Sequence, residues 1–161
     1  MSEIIIREIA PNDNKVIAKL IRDVLVELGA PKVGTAYEDT SLDVLSEEYQ
    51  KQNAQYFVLE IDGQVEGGAG IAELENTLDK TCELQKMYLS PKARGKGLGE
   101  QLIQKCIKEA KKLGFEKCYL ETLPYMKSAV KLYKKTGFIP LAAPLGNTGH
   151  YSCTEWMIKE L

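Results

Sequence analysis

Residues 82–102 read CELQKMYLSPKARGKGLGEQL, and the reading of this stretch decides the fold. It begins as a strand, breaks at Pro91, passes through Arg94-Gly95-Lys96-Gly97-Leu98-Gly99 and becomes a helix with apolar residues at helical spacing. Three glycines in six positions at a strand-to-helix junction let the backbone approach a ligand closely, because Gly carries no Cβ and accepts φ > 0. The first N–H groups of the helix have no internal partners, and the helix dipole favours negative charge there. Arg94 and Lys96 add positive side chains. Physically, such a turn is a phosphate cradle.

Downstream, Leu98, Leu102, Cys106 and Ala110, with Ile103 and Ile107, form one broad helical face that ends at Gly114. Residues 118–121 read as a short strand, and 126–135 as a helix stopped at Gly137. Residues 138–141 and 151–158 read as the last strands, joined by a Gly- and Pro-containing loop over 142–149. Upstream, residues 3–9 read as a strand, and Pro11-Asn12-Asp13 starts a helix. Val16, Ile17, Leu20, Ile21, Val24, Leu25 and Leu28 mark that helix's apolar face before Gly29 and Pro31 end it. A second helix is expected from Thr40 or Ser41, with Leu42, Leu45 and Tyr49 on one face. Residues 55–61 and 65–74 are strands joined at Asp62-Gly63, a strong hairpin signal. Gly67-Gly68-Ala69-Gly70 in the return strand suggests a bulge or a ligand lying close to it. A turn over 75–80 then leads into the strand at 81–89. The order β-α-α-β-β-β-α-β-α-β-β, with no repeat or linker, describes one mixed α/β domain over residues 1–161.

The chain of 161 residues is long enough for a real core, and 44% hydrophobic with 27% charged content is ordinary for a globular enzyme. A net charge of -2 points to neither nucleic-acid nor anionic-membrane binding, since both favour basic patches. No apolar run reaches the roughly 20 residues needed to span a bilayer. The start Met1-Ser2-Glu3-Ile4 lacks the basic region of a signal peptide, so a cytoplasmic location is expected. Cys82, Cys106, Cys118 and Cys153 form no C-x-x-C pair and the chain has one His, so reduced thiols and no metal are expected.

A glycine-rich turn serves several ligands. The Walker A pattern fails because Gly99 is followed by Glu100 and Gln101, and the dinucleotide fingerprint fails on glycine spacing. What Arg94-Gly95-Lys96-Gly97-Leu98-Gly99 does resemble is the R/Q-x-x-G-x-G/A signature of the GNAT acetyltransferase superfamily. The segment Ala129-Val130-Lys131-Leu132-Tyr133-Lys134-Lys135-Thr136-Gly137-Phe138 is similar to that family's A-x-x-L-Y-x-x-x-G-F block. The order of elements agrees over almost the whole chain. The resemblance implies a single GNAT-like domain: a mixed, mostly antiparallel sheet flanked by helices, with acetyl-CoA between two splayed central strands. It implies that the pyrophosphate lies on the backbone of Gly95, Lys96, Gly97, Leu98 and Gly99. The pantetheine would pair like an added strand with Met87, Tyr88 and Leu89. The family often has Asn where this chain has Met126, and Ser128 is the nearby candidate to supply a hydroxyl instead.

Acetyl transfer to an amine needs a neutral amine, a donor to the oxyanion and a proton for the departing thiolate. The resemblance assigns the proton donor to Tyr133; the alternative is an aromatic on the core face of its helix. Glu83 is the candidate base, four residues before Met87 and so expected on Met87's face; the alternative is a salt-bridged carboxylate paired with Lys86. Glu73 on the neighbouring strand and a water relay are the reserves. A backbone N–H near Met87 or Tyr88 would meet the oxyanion. His150 is either part of the acceptor pocket or a hydrogen-bonded residue opening a strand. Tyr37-Glu38-Asp39 either shapes the acceptor site or is a solvated loop. The expected activity is acetyl-CoA-dependent N-acetyl transfer to a primary amine of a small or amino-acid-like molecule. The alternatives are a protein amine as acceptor, O-acetyl transfer, and a module that senses acetyl-CoA without turnover. The resemblance also allows a homodimer.

Overall fold

The hairpin at Asp62-Gly63 shows local chemistry setting the sheet. Both residues take positive φ, 50° and 80°, as a two-residue turn requires if its twist is to match the flanking strands. It joins β2 (Gln55–Ile61) to β3 (Gln64–Glu73). The computed structural model describes residues 1–75, 77, 79–124 and 126–161, so the turn expected over 75–80 lies partly outside the described residues. Around the hairpin come β1 (Ile4–Glu8), α1 (Asn14–Glu27), α2 (Leu45–Glu48) and β4 (Thr81–Leu89), then α3 (Leu98–Lys112), β5 (Lys117–Thr122) and α4 (Lys127–Lys135). β6 (Ile139–Leu141) and β7 (Glu155–Glu160) close the chain.

The seven strands form one sheet in the order β1-β2-β3-β4-β5-β7-β6. Every pairing is antiparallel except β4 with β5. The expected mixed, mostly antiparallel sheet flanked by helices is what the chain forms. Alternation along the strands serves two cores. Phe57, Leu59, Ala69 and Ile71 pack with Leu102, Ile103, Cys106 and Ile107 of α3 and with Tyr133 of α4. Tyr56, Val58 and Ala72 pack with Ile17, Ile21 and Leu25 of α1 and with Leu42, Leu45 and Tyr49. Each Leu or Ile fully withdrawn from water contributes about 1.5–3 kcal/mol. Cys82, Cys106 and Cys118 are buried, Cys153 is half-buried, and all four are free thiols. No helix among the described residues is long and apolar enough to cross a membrane.

Two expectations are corrected. The second helix is mostly a 3-10 turn over Thr40–Val44, with α geometry confined to Leu45–Glu48. Packing overrides propensity here: Leu42, Leu45 and Tyr49 are still buried, and Asn14 Oδ1 accepts the Ser46 N–H at 2.8 Å. The last strand begins at Glu155 rather than at 151. Its missing turn is committed to loop contacts instead: the Cys153 N–H bonds the His150 carbonyl and the Ser152 N–H bonds the Gly34 carbonyl, both at 3.0 Å.

Candidate active site

The site is organised by an extra residue in β4. Gly70 pairs with Gln85 and Gly68 with Tyr88, so two steps along β3 match three along β4. Lys86, inside this bulge, takes φ 49°. The Tyr56 hydroxyl donates to the Lys86 carbonyl at 2.8 Å. A Cβ at Gly68 or Gly70 would stand 2.6 or 2.5 Å from Tyr56. Those glycines therefore make room for the aromatic ring that anchors the bulge.

The bulge reverses the alternation and corrects one expectation. Cys82, Leu84, Met87 and Leu89 pack on the α3–α4 side, whereas Tyr88 packs on the α1 side. Glu83 therefore does not share Met87's face. It faces the α1 side with Gln85, whose Oε1 accepts the Tyr49 hydroxyl at 2.5 Å.

β4 and β5 pair only at Thr81↔Lys117, Cys82↔Cys118 and Glu83↔Tyr119. Beyond that point β4 stays with β3 and β5 with β7, leaving the facing edges of the two strands apart. A cleft of about 610 Å³, ordinary for a ligand site, opens there, lined by Met87, Tyr88 and Leu89 from β4. Arg94, Gly95, Gly97, Leu98 and Gly99 line it from the turn, Ser128 and Tyr133 from α4, and Val24 of α1 with Leu28 just past its end. Gly95 and Gly97 have φ of 72° and 73° and nothing within 4 Å of an added Cβ, while a Cβ at Gly99 would meet Leu132 at 2.8 Å. The first helical bond runs from the Gln101 N–H to the Gly97 carbonyl, so the N–H groups of Leu98, Gly99 and Glu100 have no partner within the helix. Lys96 is exposed and does not line the cleft. Arg94 does, but its guanidinium makes two 2.8 Å bonds to Glu27 of α1 and one of 3.2 Å to the Leu89 carbonyl. This pairing holds the Glu27 carboxyl below its usual range.

Tyr133 packs in the α3–α4 core, edge-on to Phe138 at 6.0 Å, and also lines the cleft. Burial raises its hydroxyl pKa, so it stays protonated. Met126 also lines the cleft, its sulfur accepting the Thr122 hydroxyl at 3.4 Å.

On the α1 face a polar chain runs from Tyr49 through Gln85 to Glu83, whose Oε1 accepts the Gln85 amide at 2.7 Å. Glu83 is 7% exposed. Burial, opposed by the Gln85 bond and reinforced by Glu121, pushes its carboxyl up to about 7. The alternative considered for Glu83, an ion pair with Lys86, is not formed; the Gln85 amide holds the carboxyl instead. Lys86 instead lies 3.5 Å from Asp39 Oδ2, which also contacts His150 Nε2 at 2.8 Å. The Asp39 bond raises the His150 pKa. Burial alone would raise that of Asp39, but His150 and Lys86 together bring it below the usual value. Of Tyr37-Glu38-Asp39, then, only Asp39 reaches this cluster; Glu38 accepts the Gly34 N–H at 2.8 Å and Lys32 lies over the Tyr37 ring. Glu73 is exposed at the end of β3. Glu121 accepts the hydroxyls of Tyr119, at 2.6 Å, and Thr148. Sequence reasoning missed Gln85 and the hydrogen bond it receives from Tyr49, because only the bulge and the fold of residues 40–49 bring the Tyr49 hydroxyl to the Gln85 that holds Glu83. Among the described residues no group of three or more His, Cys, Asp or Glu could hold a metal ion.

The sequence pattern described as "Acetyltransferase (GNAT) family" matches residues 22–138, which include β4, the cradle, α3 and α4. The chain belongs to the GNAT acetyltransferase family. It is thus an acetyl-CoA-dependent N-acetyltransferase, an acyltransferase enzyme. It is 40% identical over 158 residues to an uncharacterized N-acetyltransferase of Escherichia coli (strain K12), YjgM, covering 98% of this chain and 95% of that one. A GNAT acetyltransferase of Staphylococcus aureus Mu50 has the same fold, with a TM-score of 0.82 at 18% identity over 99% of both chains. The Salmonella typhimurium protein yncA, a putative acetyltransferase solved with acetyl-CoA, aligns with a TM-score of 0.78 at 20% identity over 99% of this chain and 94% of that one.

Proposed function

We propose that this GNAT enzyme acetylates the primary amine of a small molecule by direct attack of the amine on the thioester. The observation that carries the reading is Glu83, a carboxyl at the last rung joining β4 to β5, oriented by Gln85 and raised to about 7. Such a base is half ionised at neutral pH and suited to taking a proton from an arriving ammonium. Acetyl-CoA supplies the activated acetyl group. The free edge of Met87, Tyr88 and Leu89 suits an extended amide-bearing chain. The left-handed Gly95 and Gly97 and the unpaired first-turn N–H groups suit phosphates, with Arg94 and Lys96 flanking them and Ser128 opposite. An N–H of the bulge, at Met87 or Tyr88, faces the developing oxyanion. Tyr133, held protonated by burial, donates to the departing sulfur.

A small acceptor is favoured because two loops are stitched together beside Glu83. His150 bonds Asp39, while the Ser152 N–H and hydroxyl bond the carbonyls of Gly34 and Val33 at 3.0 and 2.9 Å. Loops tied together in this way favour a small acceptor over a polypeptide. The test mixes protein, acetyl-CoA and a panel of small amines and lysine-bearing peptides, and follows free thiol. Thiol release with small amines is expected. Release with peptides alone would move the acceptor to proteins, and tight CoA binding with no amine-dependent release would make the protein a sensor.

A further inference from the structure

Lys86 has no part in the proton transfers proposed above. Its left-handed φ of 49° is costly for a long side chain, and such outliers gather at functional sites. The Tyr56 hydroxyl on its carbonyl holds it there. Its side chain is only 11% exposed, yet among the described residues its sole ionic partner is Asp39 at 3.5 Å, longer than an ordinary hydrogen bond. His150 Nε2 sits closer, at 2.8 Å, on the same carboxylate oxygen. Lys86 and His150 therefore share one oxygen, and an ammonium with three N–H donors has capacity left for another anion. Glu121, the other carboxylate near Glu83, is taken up by hydroxyls of Tyr119 and Thr148. The face thus has a carboxyl end at Glu83 and an end at Lys86 where an ammonium and the His150 ring meet on Asp39. A diamine would bring its second cation to an Asp39 oxygen already shared by Lys86 and His150.

We propose that Lys86, supported by His150, binds the carboxylate of a zwitterionic acceptor whose amine lies at Glu83, so that the acceptor class is a free amino acid. The proposal rests on the amine-acetylating reading and adds a carboxylate site to it.

The test pairs α-, β- and γ-amino acids with their decarboxylated amines and carboxamides, adds putrescine, and measures both thiol release and calorimetric binding to CoA-loaded protein. At least one amino acid should exceed its amine and its carboxamide in kcat/KM by roughly 100-fold, the scale of one lost charged contact. Lys86→Met and Lys86→Gly should abolish that preference mainly through KM, lowering kcat/KM for the amino acid far more than for the plain amine. Gly accepts the left-handed backbone, so the second variant separates loss of the ammonium from loss of the fold. Lys86→Arg should recover part of the preference. Equal or better turnover of amines, carboxamides or putrescine by the parent protein, or equal damage to both classes in the variants, overturns the carboxylate site while leaving amine acetylation standing. Should no acceptor release thiol, the amine-acetylating reading fails. Calorimetry then decides the site alone: amino-acid binding lost in Lys86→Gly upholds it, and no binding, or binding unchanged in the variant, overturns it.

Discussion

The two proposed binding regions are built from different materials. The proposed cofactor region, which lines the cleft, is backbone: the free edge of β4, two left-handed glycines and the first turn of α3. The proposed acceptor region, which does not line that cleft, is side chains: Lys86 and His150 meet on Asp39, while Glu83 and Glu121 are each held by hydrogen bonds of their own. Backbone recognition suits a ligand shared by a whole family, because main-chain groups persist under most substitutions. Side-chain recognition suits an acceptor peculiar to one enzyme.

Damage to the cofactor side should be the larger. In Gly97→Val a β-branched residue must hold φ near 73° at the start of α3. Backbone strain of about 1–3 kcal/mol plus lost N–H contacts should weaken CoA binding by roughly 1,000-fold, as read by calorimetry on a variant that keeps its circular dichroism. Retained affinity would place the phosphates elsewhere.

On the acceptor side, Glu83→Gln should lower kcat about 100-fold with CoA affinity unchanged. The parent's kcat/KM should rise with pH around 7 as Glu83 ionises, and the variant should lose that inflection. A parent profile flat from pH 6 to 8 would remove Glu83 as the base. Tyr133→Phe should reduce kcat by about 10-fold, again with CoA affinity intact; unchanged turnover would leave Tyr133 as a packing residue.

A last effect, on stability rather than on turnover, has the opposite sign. A carboxyl raised from 4.5 to about 7 in the native state keeps a proton that the unfolded chain releases. Stability therefore falls as pH rises through that window and the cost is complete above it, at most about 3 kcal/mol. Glu83→Gln should consequently melt higher than the parent at pH 8 and alike at pH 4. Equal melting at pH 8 would show that the carboxyl ionises without strain.

The same division explains what could be read in advance. Gly95, Gly97, Gly99, Leu132-Tyr133 and Gly137-Phe138 lie within short contiguous motifs, and periodicity placed α1, α3 and the strands. Glu83 was found, but its face was not: strict alternation along 83–87 has no means of registering a bulge whose causes are Tyr56 and Gly68, on β2 and β3. The pairing of Asp39 with His150 spans 111 positions and depends on the loop contacts of Gly34 and Ser152, which no local rule contains. The late start of β7 has the same origin. Arg94 was legible as a positive residue beside the cradle, but not its commitment to Glu27, since that partner lies 67 residues away.

The three rungs between β4 and β5 also have a mechanical meaning. The sheet is two panels, β1 to β4 and β5 with β7 and β6, riveted along Thr81, Cys82 and Glu83 at one end only. Any molecule lying in the gap and bonding the free edge of β4 acts as a splint between them. The candidate base sits on the last rivet. Its position is therefore set by how the panels are braced, and on the proposed mechanism a donor bound in the gap would steady the base as well.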